Sequence, residues 1–509
     1  MKVQLIDLTD TFATPFKLTQ IQQLTYQELE LEPVLSVMAK NDEHIQQAVL
    51  TGWFTSMLPT EQLKYRQATI RDALSNAKLI QELYQLSDTT ILQVIDEGWG
   101  LLMGSASYQV SSKANLIKIF LQAIEKIQAQ AANNWQSTAF KHFFQRLAQT
   151  FSQEKLKQMY QVIASLGDYS PSYAFSTNLF DGLQGKMSEL DYYTKQTRAT
   201  QFFKGVQMQL STNFVSFVIG DRDDNSSQAL GRYENRAMWG LATEVSNTFN
   251  ELRHFFNELR AQLAFMQGVI NLKQALPENT PLSFAEYSLE IKIVDLRNVV
   301  LLLNHPARDV VGNSFTSNRK PLWIISGANQ GGKTTTLRSL GQAQLMGQSG
   351  MFVAAQSFNC NKFKQVVTHF KREEDTQLNT GKLAEELQRM QRIIANLQQP
   401  ALILMNESFS STNEHEGSII NSQIMAGLVN SGVTLIAVTH QYEFSKMFAS
   451  YSKITPLYFR AERQADGQRS FKIIPGQPRE TSYGLDIFNR FFAPKTNEKT
   501  TGDDIEESN

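Results

Sequence analysis

In the stretch LWIISGANQGGKTTTLRSL, residues 322 to 340, Gly327, Gly332, Lys333 and Thr334 fit the spacing G-x-x-x-x-G-K-[ST] directly after the apolar run Leu322, Trp323, Ile324, Ile325. The chemistry such a turn serves is phosphate binding. Its backbone must curl until consecutive N–H groups point inward at phosphate oxygens, and a Cβ at the glycines would obstruct that approach. Lys333 would add a point charge at the β- and γ-phosphates, Thr334 a hydroxyl for Mg²⁺, and the following helix N-terminus a favourable dipole. The alternative is a chance glycine-rich turn, but the strand before it and the helix after it are the context the motif demands.

Two further segments supply what a phosphate loop needs in order to act. PALILMNES, residues 400 to 408, reads as a buried strand ending in Asn406 and Glu407. A nucleotide hydrolase keeps its Walker B residues at such a strand end, which makes Glu407 the candidate base that orients the attacking water and Asn406 a candidate metal-shell residue beside Thr334. VTLIAVTHQ, residues 433 to 441, is a second short apolar strand, ending in Thr439 and His440. His440 is a candidate sensor of the γ-phosphate; taken alone, it would read as a structural histidine at a strand end.

These residues need a frame, and 509 residues are enough for about three domains. Apolar residues make up 42% and charged residues 19%, as in an ordinary water-soluble chain. Lys+Arg 48 against Asp+Glu 49 leaves a net charge of -1, so any nucleic-acid contact must come from a local patch. One such patch is the run 113 to 160, where Lys113, Lys118, Lys126, Lys141, Arg146, Lys155 and Lys157 outnumber Glu125 and Glu154; it tracks a phosphate backbone or is simply a solvated helix face. The single Cys360 excludes an intrachain disulfide and fits a reducing compartment. No signal-peptide core follows MKVQLIDLTDTF and no run approaches about 18 apolar residues, so a cytoplasmic protein with no membrane association is expected.

The chain divides into unlike halves. From about Leu18 to Leu166 apolar residues recur at helical spacing, as in Leu116, Ile117, Phe120, Leu121, Ile124 and Ile127, with few strand signals. IGDRDDNSSQALG, residues 219 to 231, reads as a polar loop. Next, Val245, Phe249, Leu252, Phe256, Leu259, Leu263, Met266 and Ile270 form a heptad seam, predicting a helix from about Tyr233 to Ala275. That helix is a lever or strut, or a core helix packed along one antiparallel partner. After LPENTPLS the character turns to strands and loops. The expected architecture is an α-helical core and lever region over 1–280, an α/β P-loop domain over 281–495, and a disordered acidic tail over 496–509.

GANQGGKTTTLRSL, LILMNESFSSTNEHEG, VTHQYEF and TSYG (481 to 484), in that order and spacing, resemble the ATPase domain of the MutS family of DNA-binding ATPases. Asn329, Gly331 and Thr335 match that family's G-P-N-M-G-G-K-S-T loop, Thr412 and Gly417 match its D-E-x-G-R-G-T-S-T-x-D-G segment, and Glu416 replaces the second Asp. More weakly, YRQATIRDAL (65 to 74) and the heptad helix are similar to the family's helical core and lever. The resemblance implies an ABC-type P-loop ATPase class for the α/β domain over 281–495, ATP and Mg²⁺ as cofactors, DNA as partner and a homodimer closed by ATP.

The departures set further expectations. Asn406 stands where the family has the Walker B aspartate, which lowers the charge around Mg²⁺ and predicts slow hydrolysis. The family's S-T-F-M segment aligns with Gly381, Lys382, Leu383 and Ala384, where only the neighbouring Thr380 offers a hydroxyl. The helical pattern begins almost at once, with no wedge domain of the mismatch-reading kind and no connector before it. SFAEY, with Phe284 and Glu286, lies too close to the ATPase segment to serve as the wedge. A shortened MutS-like ATPase recognising DNA by shape rather than by mismatch is therefore expected; the alternative is an ATP-driven switch gripping a protein partner without DNA. A transporter- or SMC-like ATPase is disfavoured by the lack of an LSGGQ-like signature.

Overall fold

The computed structural model describes residues 1–55, 57–98, 106–167, 171–179, 185–195, 224–288, 290–307, 309–318, 320–327, 330–371, 381–440, 442–463 and 469–478. Asn329, Thr380, TSYG and the acidic tail lie outside them. The chain forms two compact units, one of Met1–Lys17, Val34–Leu276 and Ser349–Met351, the other of Leu18–Pro33, Pro277–Gln348 and Phe352–Asn509. Membership of residues 18–33 in the second unit has no signal in the amphipathic pattern, which runs through them unbroken.

In chain order the elements up to residue 275 are α1 (Gln20–Glu28), α2 (Glu32–Ala39), α3 (Glu43–Phe54), α4 (Thr60–Ser75), α5 (Ala77–Glu97), α6 (Ala106–Ala129), α7 (Thr138–Thr150), α8 (Gln153–Gly167), a hairpin of β1 (Pro171–Leu179) and β2 (Gly185–Lys195), and α9 (Asp224–Ala275). α9 packs on α3, α4, α5 and α6, so it is a core helix with several partners along its C-terminal half. All eight seam residues from Val245 to Ile270 are buried, each contributing about 1.5 to 3 kcal/mol by burial. Aromatic contacts reinforce the seam, with Phe256 stacked on Phe120 at 4.9 Å between centroids. Two expectations need correction. α9 begins at Asp224, so the expected polar loop is helical from 224 onward; the Asp-Asn-Ser-Ser opening is composed of residues that favour a helix N-terminus, and their polarity had read as a loop. The β1–β2 hairpin, antiparallel with two register shifts, also interrupts a region read as helical.

The first unit is closed by polar brackets. Gln262, fully buried on α9, accepts the N–H groups of Leu5 and Ile6 at 2.9 and 3.0 Å and donates to Asp10 at 3.2 Å. On α4, Arg66 donates to the carbonyls of Ile6 at 2.8 Å and Ser349 at 3.3 Å, its guanidinium lying over Phe12. Burial pushes the Arg66 pKa down to about 10, with Asp7 opposing. Asp72 accepts the N–H groups of Gln136 and Ser137. The YRQATIRDAL stretch thus tethers distant backbone, a use of charge that satisfies buried carbonyls.

The second unit contains β3 (Ser283–Phe284), β4 (Glu286–Tyr287), β5 (Glu290–Leu296), α10 (Val299–Asn304), β6 (Asn313–Asn318), β7 (Leu322–Ser326), α11 (Lys333–Gln348), β8 (Phe352–Val353), β9 (Ser357–Cys360), β10 (Gln365–Phe370), α12 (Lys382–Ala395), β11 (Ala401–Asn406), α13 (Glu414–Asn430), β12 (Thr434–Val438), α14 (Tyr442–Tyr451), β13 (Leu457–Arg463) and β14 (Arg469–Pro475). Its main sheet runs β10-β11-β12-β7-β13-β14, parallel except for β13–β14. Both faces of the parallel strands are covered, which is why β7 and β11 read as continuous apolar runs instead of alternating. A smaller sheet, β4-β9-β5-β6, and the β3–β8 pair complete the unit. α1 lies along β10, anchored by Glu28, which takes the Phe370 N–H at 3.1 Å and the Arg389 guanidinium at 2.8 Å. Among the described residues no helix is long and apolar enough to cross a membrane.

Candidate nucleotide site

Three adjacent strands deliver the candidate residues. β12 lies between β7 and β11, so the loop after β7, the Thr439–His440 end of β12 and the Asn406–Glu407 end of β11 meet at the carboxyl edge of the sheet, where α/β folds bind ligands. Backbone bonds fix their register: the Thr439 N–H donates to Ile325 O at 3.1 Å and the Glu407 N–H to Val438 O at 2.9 Å.

The glycine requirement is visible at two positions. Gly327 has φ +124° and Gly332 φ +88°, in the left-handed half of the map that L side chains rarely adopt. A Cβ on Gly327 would also sit 3.0 Å from the Ala461 Cβ, and one on Gly332 3.4 Å from the Phe471 carbonyl. β13 and β14 therefore press on the loop from outside. α11 starts at Lys333, and the Thr336 N–H closes its first turn on Gly332 O at 2.9 Å. Gly331 lies in the same turn, and Thr335 on α11 presents its carbonyl to Ser339 and Asn298.

Lys333 is 4% exposed, and its ammonium donates to Gly327 O at 2.7 Å, spanning the loop. Burial lowers its pKa, Glu407 opposes that and Arg469 adds to it. The Thr334 hydroxyl and the Asn406 side-chain oxygen stand 3.0 Å apart. His440 Nδ1 lies 3.5 Å from Glu407 Oε1. The Glu407 carboxyl is held below its usual range chiefly by His440, with burial opposing and Lys333 and Lys371 assisting. Glu407 itself has φ +52° and Phe409 φ +57°, so the turn after β11 is strained at two non-glycine residues. The structure thus brings Gly327, Gly332, Lys333, Thr334, Asn406, Glu407 and His440 together.

Thr412, Glu416 and Gly417 do different work. Asn413 caps α13 by accepting the Glu416 N–H at 2.9 Å, and Thr412 donates to the Glu416 carboxylate at 2.6 Å. Gly381 is the N-cap of α12, without a side chain to cap it. Sequence reasoning missed Arg469 on β14, whose guanidinium reaches Gln330 Oε1 at 2.6 Å on the loop. It also missed Asn313 on β6, which donates to Thr336 and Phe471 and accepts from Ile473. No spacing signal announces either, because both arrive from strands distant in sequence.

The donor set suits a phosphate: one ammonium, one hydroxyl and loop N–H groups around glycine backbone that no side chain fills. For Mg²⁺ the fit is partial. Thr334 and Asn406 present neutral oxygens, and no group of three or more His, Cys, Asp or Glu suited to a metal exists among the described residues. Thr334 and Asn406 would therefore hold the metal only together with phosphate and water oxygens.

Comparison with known proteins adds the family. The description "MutS2 N-terminal domain" matches residues 59–279, and "MutS domain V" matches residues 323–502. Among similar curated proteins, Endonuclease MutS2 of Lacticaseibacillus paracasei is 28% identical over 280 residues, 52% of this chain and 35% of that protein. Endonuclease MutS2 of Thermus thermophilus is 31% identical over 188 residues, 37% of this chain and 25% of the relative. MutS protein homolog 4 of Homo sapiens is 25% identical over 185 residues, 35% and 20%. The chain spans about a third or less of the length of these relatives. With one family model over the helical part and a second over the sheet that carries the phosphate loop, in that order along the chain, the protein belongs to the MutS family.

Proposed function

We propose that this chain is a MutS-type ATPase that binds ATP with Mg²⁺, turns it over slowly, and uses the cycle to grip DNA by shape, as a homodimer closed by ATP. The observation that carries the reading is the meeting of Lys333, the Thr334–Asn406 pair and the Glu407–His440 pair at one sheet edge. The names of the relatives, which include endonucleases of the MutS2 type, support nucleic acid as the substrate class.

Magnesium-bound nucleotide would supply the electrophilic phosphorus and a divalent charge that screens the phosphate oxygens. Lys333 would exchange its bond to Gly327 O for phosphate oxygens, a substitution of one acceptor for another that leaves its buried charge paired. Thr334 and Asn406 would present their oxygens to the metal; the amide carries no charge, which weakens the metal's hold relative to a carboxylate. Glu407 is ionised at neutral pH, and its lowered pKa makes it a weak base, better suited to orienting water than to removing a proton early. His440, half exposed beside it with Nδ1 toward Glu407, would offer its other ring nitrogen to the developing charge.

For DNA, Lys118, Lys126, Lys141, Lys155 and Lys157 remain exposed on α6, α7 and α8, whereas Arg146 is committed to Val3 O and the Gln4 side chain. Exposed lysines contact phosphates without reading bases, which supports shape preference over mismatch preference. The test is salt-dependent binding to duplex, mismatched and four-way-junction DNA, with and without ATP. Junction DNA should bind tightest, and perfect and mismatched duplexes within a few-fold of each other. A ~100-fold preference for a single mismatch, about 2.7 kcal/mol, would sink the shape reading. A partner-protein reading has one observation in its favour: Val162, 56% exposed, Leu241 and Met159 line an apolar groove of about 440 Å³ between α6, α8 and α9. Absence of salt-dependent binding to any of the DNAs would favour it.

A further inference from the structure

His369, at the penultimate position of β10, is fully buried and belongs to none of the steps above. Its ring joins two elements. Nε2 lies 3.1 Å from the carbonyl oxygen of Glu386 on α12, and Nδ1 lies 2.7 Å from the Ser408 hydroxyl. A carbonyl oxygen only accepts, so Nε2 donates to Glu386 O; the Ser408 hydroxyl donates its one proton to the His369 carbonyl at 2.7 Å while its oxygen lies against Nδ1, so both the ring and the backbone of His369 hold Ser408. The ring also stacks on Phe409 at 5.2 Å between centroids.

Ser408 follows Glu407 directly, and the left-handed backbone there persists only because its neighbours hold it. The Glu407 N–H is fixed on Val438 O, its carbonyl accepts from the Ser410 hydroxyl at 2.7 Å, and the Ser408 carbonyl accepts from Asn421 at 2.8 Å. His369 is the restraint on Ser408 that leads to α12, as Asn421 is the one that leads to α13. α12 is tied in turn to the turn after β11 by Ser411, which donates to the Glu386 carboxylate at 3.0 Å, and to β10 by Arg389, which donates to Phe370 O. α12 opens at its N-cap Gly381.

We propose that His369 and Ser408 are a positioning pair that makes the orientation of Glu407 depend on helix α12, so that displacement of that helix reaches the water-orienting carboxylate through the imidazole, alongside the Ser411–Glu386 bond. The inference rests on the ATPase reading and adds to it a route by which a contact at α12 sets the turnover rate. Neither residue touches substrate. Their effect belongs in kcat, because the phosphate loop that sets nucleotide affinity rests on β7, β13 and β14 instead.

The test uses the full chain, with ATP turnover, affinity for a fluorescently labelled ATP and thermal melting measured together. Ser408→Ala and His369→Leu should each lower kcat about 10-fold with affinity within about twofold of wild type, and the double variant should fall no further than Ser408→Ala, which already removes both the imidazole and the carbonyl contact of that hydroxyl. His369→Gln, whose carboxamide has a donor and an acceptor to offer, should recover turnover to within about threefold. Wild-type kcat in Ser408→Ala, losses multiplying toward about 100-fold in the double variant, or equal losses of affinity and turnover would each overturn the inference. Lys333→Ala separates the two readings: if wild type shows no turnover that this substitution removes, the ATPase reading fails and the inference falls with it; if it does and Ser408→Ala is silent, only the inference fails.

Discussion

Arg66 and Lys333 are both buried cations, one in each unit, and the surroundings give them opposite meanings. Arg66 donates to carbonyls of Ile6 and Ser349, groups far away in sequence that have no other reason to meet. Lys333 donates to a carbonyl of its own loop, at a strand end where a hydroxyl, an amide, a carboxylate and an imidazole also converge. Arg66 joins segments of its unit that are distant in sequence, whereas Lys333 bonds within its own loop. A buried charge alone therefore does not mark a functional site; the sequence distance and chemistry of its partners do.

The comparison is sharpest where the two cations are removed. Arg66→Ala leaves two buried carbonyls without their donor and Asp7 without a neighbouring positive charge, so unfolding free energy in urea should drop by about 3 to 5 kcal/mol while the folded fraction binds nucleotide normally. Lys333→Ala should do the reverse, lowering ATP affinity by on the order of 100-fold or more with a melting temperature within a few degrees of wild type. Equal melting losses in the two variants would break the comparison, and undiminished ATP affinity in Lys333→Ala would remove the phosphate-loop reading.

A second pair of changes works inside the sheet unit. Glu407→Gln should retain ATP binding and lower turnover roughly 10²-fold; equal rates would place the base elsewhere. With ATP and Mg²⁺ it should also accumulate as dimer in sedimentation, since a ligand shared across an interface favours association. Asn406→Asp restores a carboxylate beside Thr334 and should raise Mg²⁺ affinity by a few-fold, read from the Mg²⁺ dependence of turnover. The smallest effect concerns pH. Because the Glu407 pKa is lowered in the folded state from an ordinary 4.5, its stabilisation is present above that value and lost as pH falls through the lower folded one. The stability difference between wild type and Glu407→Gln should accordingly shrink below about pH 4.5. His440→Ala, which removes the chief cause of the lowering, should narrow the difference at the same pH.

Legibility in the sequence followed locality. The phosphate loop, the strand before it and the helix after it are contiguous, so their spacing sufficed to find Gly327, Gly332, Lys333 and Thr334. Glu407 and His440 were legible as polar ends of apolar strands, because parallel strands covered on both faces leave that pattern. The seam from Val245 to Ile270 was legible through its period, though the start of α9 was not: Asp-Asn-Ser-Ser suits a loop and a helix N-terminus alike. The β1–β2 hairpin, beyond the Leu18–Leu166 stretch of helical spacing, went unread inside the 1–280 region expected to be helical.

What the sequence determined by itself is whatever depends on residue type and short spacing: the family, the phosphate cradle, the candidate base and the heptad face. The strand order that seats β12 between β7 and β11, the arrival of Arg469 and Asn313 at the loop, the capture of residues 18–33 by the sheet unit and the His369–Ser408 link were decided by tertiary structure. Each of these joins residues tens to hundreds of positions apart, and such a contact exists only once burial makes an unpaired donor or acceptor costly, a condition that no local pattern encodes.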